Sequence, residues 1–273
     1  MHIDQKTALY GVVGYPLAHT LSPVMHNAAF LETHMNAVYL AFESQDIDGC
    51  LKGMKGLGIR GMSVTVPHKS EVIPLLDQVD DLALSIGAVN TIVNRGGVLK
   101  GYNTDAMGAL KAIQEETDPA GKTCLIIGAG GAARAIAFIL KKHGTNVNIT
   151  NRSLTRGRAL ATALKCPFIP LEEAGTIKAD ILIHATSVGM YPFHERCIVT
   201  PDMFQRGMIV MDIVYNPVQT RFLTLAAERG CKTIDGLGML VYQGVEQFRL
   251  WTGLDAPFDA MTNALADAMR RFG

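Results

Sequence analysis

Cysteine and tryptophan are scarce: the 273 residues hold five of the first and one of the second. The cysteines, at positions 50, 124, 166, 197 and 231, are scattered, odd in number and never spaced C-x-x-C. That pattern excludes a disulfide framework and a zinc knuckle, and it fits reduced thiols in a cytoplasmic protein. The eight histidines form no H-E-x-x-H and no two-histidine-plus-carboxylate spacing, so no metal is expected. An excess of one charge is missing too. Twenty-five basic residues offset 25 acidic ones, which removes any global attraction to nucleic acid or to an anionic membrane. No apolar run is long enough to span a bilayer; the longest, Leu125 to Leu140, is broken by Arg134 and by glycines at 128, 130 and 131. The opening MHIDQKTALYG lacks the basic-then-apolar order of a secretory signal. No G-x-S-x-G elbow suggests acyl transfer.

What is present is an ordinary globular composition, 48% hydrophobic and 18% charged, on a chain long enough for two modest domains. The first hundred residues alternate strand-like and helix-like segments. Strands are expected at Ala8 to Val13, Ala37 to Phe42 and Gly61 to Val66. Helices are expected from Ser22, as N-cap with Pro23 behind it, to Glu32, and from Asp46 to Leu57. Short helical pieces follow at Ser70 to Leu76 and Asp80 to Ile86, then a hairpin of Ala88 to Asn94 and Val98 to Tyr102. Beyond a helix opening at Asp105 the strands become apolar on both faces: Thr123 to Ile127, Asn146 to Thr150, Ile181 to Ala185 and Ile209 to Ile213. Strands of that kind alternating with helices imply a parallel sheet covered on both sides. Two helices close the chain, at about 239–252 and 257–271. The fold class is therefore α/β, with expected divisions at 1–104, 105–237 and 238–273. The first reads as an α/β unit, the second as a Rossmann-type unit with a parallel sheet, and the last as a helical pair returning to the first.

Gly128-Ala129-Gly130-Gly131-Ala132-Ala133 fits G-x-G-x-x-A. It directly follows a buried strand and directly opens a helix, which is the context that motif needs. Glycines let the backbone approach a pyrophosphate, and the helix N-terminus offers unpaired N–H groups. An NAD site carries an acid at the end of the next strand to bind ribose hydroxyls. Here that place reads Asn151-Arg152-Ser153-Leu154-Thr155-Arg156. Two guanidiniums and a hydroxyl suit a 2′-phosphate that a carboxylate would repel, so NADP is the expected cofactor. Arg158 reads as a solvated helix residue.

Ser63-Val64-Thr65-Val66-Pro67-His68-Lys69 alternates like a half-buried strand until Pro67, which removes a ladder donor. His68 reads as a spacer or local hydrogen-bonder. Polar residues also gather after strand ends or in turns at Thr20, Ser22, Thr65, Lys69, Asn90 and Asn103 to Asp105. Taken in order, GYPLAHTLSPVMHN (14–27), SVTVPHK (63–69), GAVNT (87–91), GYNTDAMG (101–108), GAGGAARA (128–135), NRSLTR (151–156), ATSVGM (185–190), DIVYNP (212–217) and DGLGMLVYQG (235–244) resemble the shikimate dehydrogenase family over nearly the whole chain.

The resemblance implies NADP-dependent reduction of 3-dehydroshikimate to shikimate in aromatic amino-acid biosynthesis. It further implies that Lys69 and Asp105 form the catalytic pair, that Thr20 and Ser22 hold the substrate carboxylate, and that Thr65, Asn90 and Gln243 bind ring hydroxyls. It places Tyr215 near substrate and nicotinamide. Gly236 and Met239 join the glycine loop, Asn151, Arg152, Ser153 and Arg156 on the cofactor side. Four residues depart from the family pattern: Thr20 for a usual serine, Ser63 for a common asparagine, Ser153 for threonine and His184 for asparagine. Thr20 leaves a quinate/shikimate dehydrogenase with dual substrate or NAD use as the alternative. A catalytically silent nucleotide-binding regulator is a rival of another class, and the retention of both Lys69 and Asp105 argues against it. The expected partners are a small-molecule substrate, with no nucleic acid and no membrane; a homodimer stays open.

Overall fold

Hydrophobic patterning builds two six-stranded sheets, one in each of two units. The computed structural model describes residues 3–17 and 20–272; Ala18 and His19, within the first motif, lie outside the described residues. One unit comprises Met1–Thr104 with Gln243–Gly273, the other Asp105–Tyr242.

The first unit contains strands β1 (Ala8–Gly14), β2 (Ala37–Glu43), β3 (Gly61–Val64), β4 (Gln78–Val79), β5 (Thr91–Arg95) and β6 (Val98–Tyr102). Its helices within the first 104 residues are α1 (Ser22–Glu32), α2 (Ile47–Gly56) and α3 (Asp81–Ile86). The sheet order is β2-β1-β3-β5-β6-β4. β1 pairs in parallel with β2 and β3, whereas β5 runs antiparallel to both β3 and β6. One face is covered by α2, whose Ile47, Leu51 and Met54 pack with Val13, Met62, Val64 and Ile92. On the other face Tyr10 meets Phe30 of α1 at 5.0 Å between ring centroids and Trp251 at 5.6 Å.

The second unit contains α4 (Asp105–Gln114), β7 (Thr123–Ile127), α5 (Gly131–Lys142), β8 (Asn146–Asn151), α6 (Leu154–Leu164), β9 (Phe168–Pro170), β10 (Ile181–His184), β11 (Ile209–Asp212), α7 (Arg221–Glu228) and β12 (Lys232–Ile234). All six strands are parallel, in the order β12-β11-β10-β7-β8-β9. Numbered within the unit, that is the 3-2-1-4-5-6 order of the dinucleotide-binding fold read from its other edge, and its strand order reverses between β7 and β10. Leu125, Ile127, Leu182 and Val210 pack on Phe222, Leu223 and Ala226 of α7. The last two helices are α8 (Gly236–Thr252) and α9 (Phe258–Phe272), and the division between units falls inside α8, after Tyr242.

Three strands go beyond the sequence expectation: β4, β9 and β12, of two, three and three residues at sheet edges. Segments that short carry no readable period. β3 also departs from its expected form. It ends at Val64, and all four of its residues are buried rather than alternating, because helices cover both faces of this sheet. Among the described residues no helix is long and apolar enough to cross a membrane.

Candidate functional site

In the second unit the strand reversal places the turn after β7 beside the turn after β10. Gly128 has φ +135°, and a Cβ there would lie 2.5 Å from the Ala185 carbonyl oxygen, so no other residue fits. Gly130 caps α5 with no side-chain hydrogen bond, and a Cβ on it would meet nothing within 4 Å. The first turn of α5 carries no acid, and its last turn holds Lys141 and Lys142. Unpaired N–H groups and the positive helix end therefore face an open space beside Ala129, Gly131 and Ala132. That is a cradle for a phosphate.

At the end of β8, the Asn151 side chain donates to the Ser153 carbonyl at 3.0 Å, and Ser153 caps α6 by accepting from the Arg156 N–H at 3.4 Å. Arg152 and Arg156 are exposed. Arg158 is exposed too, but its guanidinium lies over the Phe168 ring at 5.9 Å, which occupies it structurally. The residues fit a 2′-phosphorylated dinucleotide: a glycine turn for the pyrophosphate and guanidiniums where an acid would exclude the extra phosphate. Gly236 opens α8 where a Cβ would lie 2.6 Å from the carbonyl oxygens of Ile213 and Val214. Asp235 accepts from the Leu237 N–H at 2.9 Å, Met239 is buried, and Tyr215 is half-buried in the segment after β11.

In the first unit, topology collects the predicted residues at one end of the sheet. β1, β3 and β6 all run toward that end, and β5 starts there because it is antiparallel. Thr20 and Ser22 follow β1, Thr65 and Lys69 follow β3, Asn90 precedes β5, and Asn103 follows β6. The turns are tied together: Tyr15 N–H donates to Val66 O, Thr65 N–H to Val13 O and Val89 N–H to Lys69 O, at 2.9, 2.9 and 2.7 Å. Ser22 is not the helix cap expected from sequence. Leu21 holds that position without a side-chain hydrogen bond, and Thr20 Oγ1 accepts from the Ser22 N–H at 3.4 Å. Capping therefore places no claim on the Ser22 hydroxyl. His68 is buried, its Nε2 donating to Ser44 O at 2.9 Å and its Nδ1 lying 3.0 Å from Glu71, which makes it a local brace.

Asn90 is buried and heavily bonded. Its Oδ1 accepts from the Thr104 N–H and the Thr91 hydroxyl, both at 2.8 Å, and its Nδ2 donates to Thr104 Oγ1 at 2.9 Å and to Gln243 Oε1 at 3.4 Å. Asn103 donates to Ala88 O at 2.9 Å. Asp105, also buried, is the first helical residue after Thr104. Sequence reasoning missed the support behind Asn90. Gln247, one turn beyond Gln243 on α8, donates to Asn90 O and Thr91 Oγ1 at 3.3 and 3.0 Å, and accepts from the Ser63 hydroxyl at 2.9 Å. Tyr39 in turn donates to Ser63 at 2.6 Å, and His26 lies 3.2 Å from Gln247. The i, i+4 repeat of glutamines was the available signal.

Comparison with known proteins fixes the family. The shikimate dehydrogenase substrate binding domain matches residues 12–92, the shikimate / quinate 5-dehydrogenase description matches 110–225, and the shikimate 5′-dehydrogenase C-terminal domain matches 236–266. The chain belongs to the shikimate dehydrogenase family. Among family members, the shikimate dehydrogenase (NADP(+)) of Moorella thermoacetica is 47% identical, over 98% of this chain and 96% of that one. A crystal structure of a shikimate dehydrogenase in complex with NADP+ superposes with a TM-score of 0.93 at 41% identity, covering 98% of each chain. The shikimate 5-dehydrogenase of Thermus thermophilus, in complex with NADP(H) and shikimate, gives 0.89 at 38% identity, covering 96% of this chain and 100% of that one.

Proposed function

We propose that this protein catalyses the reversible, NADP-dependent reduction of 3-dehydroshikimate to shikimate in aromatic amino-acid (chorismate) biosynthesis. The observation that carries this reading is the pairing, in one family member, of two features. One is the Lys69–Asn90 polar edge of the first sheet; the other is a second sheet whose strand reversal bears a glycine turn and two guanidiniums. The first unit is the substrate domain and the second the cofactor domain.

NADPH, when bound, supplies the hydride that the ketone carbon accepts. Lys69 stabilises the oxygen on which negative charge develops and delivers the proton, and Asp105 orients the ammonium. In the oxidative direction the same lysine takes the hydroxyl proton. Thr20 and Ser22 receive the substrate carboxylate through their hydroxyls, while Thr65, Asn90 and Gln243 bind ring hydroxyls. Support for Asn90 comes from its orientation: Thr91 and Thr104 hold its amide in one setting, so a ring hydroxyl that replaces the long 3.4 Å bond to Gln243 meets a preset group, which loses little entropy on binding. Tyr215, Gly236 and Met239 line the nicotinamide end, and Arg152, Ser153 and Arg156 take the 2′-phosphate.

The test is a spectrophotometric assay of the purified chain with shikimate and NADP+, run beside quinate and NAD+. Reduction of NADP+ with shikimate at the highest kcat/KM is the expected result. A higher kcat/KM with quinate and NAD+ would replace this reading with that of a quinate dehydrogenase, and no turnover with any pair would reject both.

A further inference from the structure

At the carboxyl ends of β10 and β11, two neighbours in register, His184 and Asp212, are fully buried polar residues in an otherwise apolar core. His184 Nδ1 lies 2.9 Å from Asp212 Oδ1, and its Nε2 lies 2.6 Å from Thr186 Oγ1. A carboxylate can only accept, so Nδ1–H donates to Asp212, and in the neutral ring Nε2 then accepts the Thr186 hydroxyl. Thr186 Oγ1 in turn accepts from the Val188 N–H at 3.2 Å. Asp212 is held as firmly, accepting from the Thr220 hydroxyl at 2.7 Å and from the Val214 N–H at 3.0 Å. Thr220 caps α7, and Phe222 of that helix lies 5.1 Å from the imidazole between ring centroids. Every polar atom in this chain of bonds has its partner.

The network ends on the wall of the phosphate cradle. A Cβ built on Gly128 would lie 3.2 Å from the Thr186 methyl, so that side chain packs directly against the glycine turn. Ala185 N–H donates to Ile127 O at 2.8 Å, fixing the start of the same segment. The hydroxyl side of Thr186 is turned to the histidine while its methyl side meets the glycine turn.

We propose that His184 is a positioning residue for cofactor binding: braced by Asp212, it fixes the Thr186 side chain and the 185–188 segment as the wall opposite the Gly128 turn. The inference rests on the reading that this unit binds NADP. Its action passes through Thr186, so the two residues form one device and should not contribute separately.

The experiment uses His184→Leu, Thr186→Val and the double variant. NADP+ Kd is measured by titration, and kcat and shikimate KM are measured at saturating NADP+. Each single variant is expected to weaken NADP+ about tenfold, the loss of roughly one well-made hydrogen bond. Shikimate KM and kcat stay near wild type, and the double variant is no worse than the worse single. An unchanged NADP+ Kd, or losses that simply add, overturns the positioning role, as does a loss confined to shikimate KM. If His184→Leu does not fold, the near-isosteric Thr186→Val decides alone, and an unchanged Kd there rejects the proposal. Wild type separates the two readings. Failure of the unaltered chain to bind NADP+ rejects the cofactor reading together with this one, whereas tight wild-type binding with unaffected variants rejects only the role of His184.

Discussion

Lys69 lies five residues beyond the end of β3, half-buried, with its carbonyl held by the Val89 N–H. That backbone tie limits the ammonium to the reach of its own side chain. Lys69→Ala is expected to lower kcat by roughly 10²–10⁴-fold, the range for a lost acid–base group, with a much smaller change in shikimate KM. Steady-state kinetics at saturating NADP+ checks this, and turnover near wild type would remove Lys69 from the chemistry. Arg152 makes a different kind of contribution. Arg152→Ala should raise the NADP+ KM about tenfold or more and leave the NAD+ KM nearly unchanged, because only NADP carries the 2′-phosphate proposed for it. Equal effects on both cofactors would mean that the guanidinium does not read the phosphate. Arg152 stood out in sequence by its place at the end of the strand after the glycine turn, whereas the role expected of Lys69 came from the family resemblance. That Ser22 lies inside the helix and is not its cap was not legible, since backbone φ and ψ at Leu21 decide it.

At the scale of elements, the decisive one is α8. Its later half belongs with the first unit, where Trp251 donates its indole N–H to Ile92 O at 3.0 Å and Gln247 braces Asn90. Gly61 of β3 makes room for this: a Cβ there would lie 2.4 Å from the indole ring. The ring is rigid and anchored by its hydrogen bond, so Gly61→Ala is expected to destabilise the fold by about 1–3 kcal/mol through overpacking. Urea unfolding measures it, and wild-type stability would show that the helix yields at no cost. The substitution should also raise shikimate KM more than NADP+ KM, since Gln247 moves with Trp251 on the same helix. Gly244 makes an instructive contrast. A Cβ there would meet the mobile end of Met25 at 2.2 Å, a side chain that can step aside.

For the molecule as a whole, His26 is a buried source of pH dependence. It is fully buried, stacked on Tyr39 with ring centroids 4.6 Å apart, and its Nδ1 finds no partner among the described residues. Burial, opposed only by the hydrogen bond to Gln247, lowers its pKa to about 4 from an ordinary 6.5. The unfolded chain therefore takes up a proton that the folded chain refuses. This contribution to stability is intact above about pH 6.5, falls by up to about 1.4 kcal/mol per pH unit below it, and levels off near pH 4. In urea titrations His26→Phe should show a shallower loss between those limits than wild type. An identical slope in both would place the acid sensitivity elsewhere. The balanced charge of 25 against 25 means that no large net repulsion masks this term near neutrality.

The family resemblance supplied the candidate residues from Thr20 to Gln243, while the amino-acid sequence by itself determined the α/β class, the glycine turn at 128–131 and the absence of an acid at 151–156. Each is a local statement: periodicity, turn chemistry and side-chain type all act within a few residues. Tertiary structure alone decided what those residues share. It set the β7–β10 reversal, gathered Thr20, Lys69 and Asn90 at one sheet end, and cut β3 short at Val64. It also revealed the supports that carry no motif: Gln247 behind Asn90, and Asp212 behind His184 and Thr186. Those partners are separated by 157 and 28 positions in the chain. No local pattern can announce a hydrogen bond whose geometry exists only after the strands and helices have packed.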